Sequence, residues 1–171
     1  MSPFSRMRYR SRQFLEALLN RNIRVPDESL RPHLTPDQIG LFRRMQPSEQ
    51  AHAFQVLKAL VANGQNDPDL LTAALLHDCG KVRAPLNLVE RIVIVLGNRL
   101  LPGAAKRWGT GEARGPRRPF VVAAQHPAWG AELAAAAGAS GTACGLIRDH
   151  QDHSVSGDPL LKALQAVDDE K

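Results

Sequence analysis

The chain has 171 residues, 22 Lys+Arg against 17 Asp+Glu, and a formal net charge of +5. That length suits one domain with a sizeable core, and 43% hydrophobic against 23% charged residues excludes a disordered chain. No run of ~18 apolar residues exists, two cysteines are too few for a disulfide scaffold, and 5% aromatics disfavour stacked single-stranded nucleic acid.

The first twelve residues are rich in Arg and Ser and lack acids, which fits either a transit peptide or a basic lead-in to a helix. Phe14, Leu15, Leu18 and Leu19 follow at helical spacing and favour the lead-in. No apolar core of a secretory signal follows, so the expected location is cytoplasmic. Thr35-Pro36-Asp37 reads as a helix start: hydroxyl cap, proline at the first position, acid in the first turn. A second helix is predicted from Pro47 or Ser48 to Asn63, with Gly64 as its stop. Asp67-Pro68-Asp69 repeats the start signal and opens a buried helix that reaches His77, where Gly80 breaks the pattern.

Leu86–Leu96 is β-branched enough for a strand, but its neighbours all read as helices and offer no partner, so it reads as helix. Gly103–Pro119 is rich in Gly, Pro and Arg and reads as a flexible loop. Pro127–Ala137 is an alanine-rich helix closed by Gly138, and Ser140 or Thr142 opens another that carries Leu146, Ile147 and His150. Asp158-Pro159 opens the last one. The expected fold is an all-α bundle of seven to nine helices.

Six histidines are present, and His77 and Asp78 adjoin at the end of a fully apolar helix. Burying that pair without partners would cost several kcal/mol. A metal ion is one such partner. The short link Gly64–Asp67 makes the two flanking helices antiparallel and can bring His52 beside His77. With Asp168 they form a nitrogen–oxygen set suited to Mn, Fe, Co, Ni, Zn or Mg and open to water and substrate. Taken singly, His52 reads as a core histidine, Asp168 as a surface acid and His33 as structural or surface.

The order His…His-Asp…Asp, centred on Leu-Leu-His-Asp-Cys-Gly-Lys, resembles the HD-domain superfamily of metal-dependent phosphohydrolases. The likeness spans about residues 47–169 and implies an HD-like metal-binding unit over 47–171, preceded by a basic helical extension over 1–46 and packed with it. It is closest to the HDIG version, with Cys79 where Ile or Val is usual. By the resemblance, His52, His77, Asp78 and Asp168 are ligands of a divalent ion, and His126 and His150 match the added ligands of two-metal members. The segment from His126-Pro127 is similar to the HD-GYP branch, where it opens a helix. That branch's second adjacent histidine and Gly-Tyr-Pro triplet are absent here, and His153 stands three residues from His150 instead.

The implied chemistry is metal-activated hydrolysis at phosphorus, with Asp78 and Lys81 as catalytic residues and Lys81 and Arg148 as phosphate contacts. The implied partner is a phosphorylated small molecule, a nucleotide foremost, with no membrane and nucleic acid disfavoured. Two readings compete with it. The degraded Gly-Tyr-Pro region fits a catalytically degenerate HD domain that binds a nucleotide or protein as a regulatory module. The sequence pI of 9.8 fits a nucleic-acid binder, which no recognisable motif supports.

Overall fold

The computed structural model describes residues 24–154 and 157–170. The proposed basic lead-in and the helix at Phe14–Leu19 lie outside the described residues. The described residues form nine α-helices and two 3-10 turns, with no strand. The helices are α1 (Asp27–Leu30), α2 (Pro36–Arg43), α3 (Pro47–Ala62), α4 (Pro68–Leu76), α5 (Leu88–Leu100), α6 (Pro102–Trp108), α7 (Arg118–Ala136), α8 (Gly141–Asp149) and α9 (Pro159–Asp168). The 3-10 turns are Cys79–Arg83 and Gly115–Arg117.

The starts follow local chemistry. Thr35 and Gln38 form a reciprocal capping box with Pro36 at the first position of α2. Asp67 and Asp158 each accept two backbone N–H groups at the starts of α4 and α9, again with proline next. Asn87 and Glu90 cap α5 in the same reciprocal way.

Helix α4 is the centre of the molecule, and every residue from Leu70 to Leu76 is buried. Around it pack α2, α3, α8 and α9. Val25, Leu30, Leu34, Phe42 and Met45, all upstream of α3, bury in the same core. Arg43 binds them in: it donates to the Val25 carbonyl, the Asp27 carboxylate and Gln50.

Two sequence expectations are corrected. Gly103–Pro119 is not one flexible loop. It holds α6, a 3-10 turn and the first residues of α7. Pro102 and Pro119 each sit in a first helical turn, where a missing N–H costs nothing, and Ala104, Ala105, Lys106 and Arg107 favour helix. Nor does His126-Pro127 open a helix: Pro127 lies inside α7, which starts nine residues earlier.

Helix α5 is anomalous. No residue of it is buried. Glu90 and Arg91 tie it down, through Arg118 and through Glu49 with the Gln46 side chain. Gly97 lets it close on α7, since a Cβ there would stand 2.5 Å from the Phe120 ring.

Candidate metal centre

The first helix–turn unit delivers His77 and Asp78. At the C-terminus of α4 the chain passes directly into the 3-10 turn Cys79–Arg83, which packs against α7. Two glycines permit the approach. A Cβ on Gly80 would stand 1.9 Å from the His126 carbonyl oxygen, and one on Gly130 would meet Ile147 at 3.1 Å. Cys79 is buried in the same seam, its Sγ donating to the Gly130 carbonyl at 3.4 Å. Burial, with the Asp78 carboxylate nearby, pushes its thiol up to about 12, so it serves as packing and not as a ligand.

Four imidazoles line up from there. Ring centroids stand 5.3 Å apart for His52 and His77, 5.1 Å for His77 and His150, and 5.3 Å for His150 and His126. The carboxylates lie among them. Asp78 Oδ1 is 3.2 Å from His126 Nε2, and Asp168 Oδ1 is 3.4 Å from His77 Nε2. His52 Nε2 bonds the same Asp168 oxygen at 2.8 Å, joining residues 116 apart in sequence.

The arrangement falls into two triads whose donor atoms lie within 4.8 Å of one another: His52, His77 and Asp168, and Asp78, His126 and His150. The second triad is fully buried, whereas the His52 and Asp168 side chains are 24% and 20% exposed. One flank of the cluster therefore opens to solvent and the other is walled.

Three rings share one device. His77 Nδ1 bonds the Ala74 carbonyl at 2.9 Å, and His150 Nδ1 bonds the Ile147 carbonyl at 2.7 Å. Both carbonyls belong to the last turn of a helix, where the onward backbone donors are missing. His126 lies mid-helix and meets the Val122 and Ala123 carbonyls, each at 3.0 Å. Pro127 explains the second contact: it has no N–H to give Ala123, four residues before it. A carbonyl only accepts, so Nδ1 carries a hydrogen in each ring, and in the neutral ring Nε2 carries the lone pair. The Nε2 atoms of His77, His126 and His150 are buried with no hydrogen-bond partner.

Such orphaned acceptors are costly unless a cation meets them. Backbone-fixed rings with inward Nε2 lone pairs are what metal-binding histidines show. Charge agrees. Burial, together with the neighbouring His77 and His126, pushes His150 down to about 3, and burial lowers His126 as well, so both rings are neutral near pH 7. Burial opposes ionisation of Asp78, but Lys81 and the imidazoles outweigh it and hold the carboxyl well below its ordinary range. Burial likewise opposes Asp168, where His77 and His52 prevail and lower it. The donor set fits a divalent ion.

A family model described as HD domain matches residues 41–169. The chain belongs to the HD-domain family. No curated protein and no solved structure matches it. HD domains bind divalent metals, and the two triads are this HD domain's candidate ligands.

The structure brings together all six residues expected as ligands: His52, His77, Asp78, His126, His150 and Asp168. Asp168 is not a frayed surface acid; α9 carries it back to α3. Lys81 Nζ donates to Asp78 Oδ2 at 2.6 Å and is mostly shielded. Arg148 is exposed, two residues before His150, on a different flank of the helix. His153 stands outside the cluster, 60% exposed and facing Asp169 at 3.9 Å. His33 is half-buried, its carbonyl accepting from Thr72.

Sequence reasoning missed Glu49. It is 3% exposed, one turn before His52 on α3, and accepts from Arg91 at 2.8 Å. Its place three residues before His52 is the available signal. Pro127 was noticed but misassigned, and the contact of Gly80 with α7 had no sequence signal at all.

Proposed function

We propose that this HD domain is a metal-dependent phosphohydrolase, HDIG-like in its central motif, acting on a nucleotide or another phosphate ester. The observation that carries the reading is the set of three buried Nε2 atoms without a hydrogen-bond partner, clustered with two ionised carboxylates. Its ligands are His52, His77, Asp78, His126, His150 and Asp168, holding one or two ions of the Mn, Fe, Co, Ni, Zn or Mg type. A divalent ion there supplies acidified water near neutral pH and neutralises charge on phosphoryl oxygens.

The chain's own residues do the rest. The open flank at His52 and Asp168 admits the ester, and the walled flank keeps bulk water from the buried triad. Lys81 holds the Asp78 carboxylate in one orientation and places a cation beside it, where a phosphate oxygen would arrive. Arg148 stays outside this assignment.

Protein purified without chelator should carry metal and hydrolyse a nitrophenyl phosphate ester or diester with Mn, Co or Ni. His77→Ala and Asp78→Ala should each cut metal retention and turnover by more than about a hundredfold. A folded chain that takes up none of these metals, measured by elemental analysis, would sink the proposal.

A further inference from the structure

The site absorbs the histidines but leaves the α5–α6 hairpin unexplained. Helix α5 turns Leu88, Val89, Val95, Leu96 and Leu100 to solvent, and Leu101 continues the face into the turn before α6. Val89 and Leu100 are each 68% exposed. Positions 89, 93, 96 and 100 form one stripe and 88, 92 and 95 the next, a face far wider than scattered surface leucines make. The helix is inverted relative to an ordinary surface helix. Its polar residues Glu90 and Arg91 point inward to partners, and its apolar residues point out.

The eight exposed apolar residues between Leu88 and Leu101 form one face, unlike the singly scattered apolar residues of an ordinary monomer surface. Charge decides what fits it. Residues 88–118 hold seven Lys and Arg against two acids, and with Arg91 neutralised by Glu49 outside the segment a net +4 is left. A second copy packed on this face would set two such segments against each other within about a Debye length. A membrane surface bearing anionic headgroups meets both features at once: acyl chains take the apolar face and headgroups take the bases. Lys106 and Arg107 on α6 supply two exposed cations on the same hairpin.

We infer that the α5–α6 hairpin docks this HD domain on an anionic lipid surface, lying in the interface without spanning it. Among the described residues no helix is long and apolar enough to cross a membrane. The inference departs from the sequence expectation of no membrane partner, and it does not rest on the metal centre.

The full chain is mixed with vesicles of phosphatidylcholine plus phosphatidylglycerol, and separately with pure phosphatidylcholine, and sedimented. Binding to the mixed vesicles alone, weakened by salt, is the expected result. Val89→Glu with Leu96→Glu should abolish it, and Lys106→Gln with Arg107→Gln should lower the partition about thirtyfold. Circular dichroism checks that these exposed-site variants fold, and metal content serves as an independent control. Folded wild-type protein that stays in solution with mixed vesicles overturns the inference. So does a stable dimer by light scattering that Val89→Glu with Leu96→Glu dissolves, without vesicle binding.

Discussion

The most economical residue in the site is Pro127. Inside a helix it removes a hydrogen bond at a cost of about 3 kcal/mol. Here the vacated Ala123 carbonyl accepts from His126 Nδ1, so the break fixes the ring that faces Asp78. Pro127→Ala restores a backbone donor that competes for this carbonyl. The fold should survive, because alanine favours helix, while metal affinity drops about tenfold, the low end for losing such support because Val122 still accepts. A chelator competition titration would read it, and unchanged affinity would show the proline to be incidental. This role was hidden in the sequence. The His-Pro pair was visible, but proline more often starts a helix than interrupts one, and the bias toward a start won. His52, His77, Asp78 and Asp168 were legible because motif order carries them. Gly80 was legible as a pattern break, not as a contact, since its neighbours come from residues 126 and 130.

Among the elements, α5 is tied down by charge. Arg91 bridges to Glu49 and to the Gln46 side chain, and without it Glu49 would keep a buried carboxylate with only the Gln46 backbone N–H. Arg91→Ala should cost about 2–3 kcal/mol in urea unfolding, below the full penalty for a buried pair because Arg91 is partly exposed. Arg91→Ala combined with Glu49→Gln should recover part of that, since the unpaired charge is gone. No recovery would mean that Arg91 acts through packing. The helix itself could be read from residues 86–96 despite their β-branched content, because a strand needs a partner and none was on offer. The segment after it was misread. Glycine, proline and arginine read as loop signals, whereas Pro102 and Pro119 sit in first turns and start helices. Composition cannot separate the two uses of proline; position relative to the alanines and the apolar run can.

At the scale of the molecule, the buried centre ties stability to pH. The ordinary histidine value is 6.5, and burial with two neighbouring imidazoles takes His150 down to about 3 in the folded chain. Between those values the unfolded chain binds the extra proton, so stability is full above about 6.5 and falls as the pH drops toward 3. His126, also lowered, adds to the loss, as do Asp78 and Asp168 once the pH falls below the ordinary carboxyl value of 3.8. Urea midpoints of chelator-treated protein should therefore decline steadily from about pH 7 to about pH 4. A flat profile would contradict the buried, neutral histidines. The three rings anchored to the Ala74, Ala123 and Ile147 carbonyls also shift a cost in time. Their rotamer entropy is surrendered when the chain folds, not when a cation arrives. A cation that binds there would meet rings already ordered, so its uptake would be limited by loss of its own hydration and by access along the partly exposed His52–Asp168 flank.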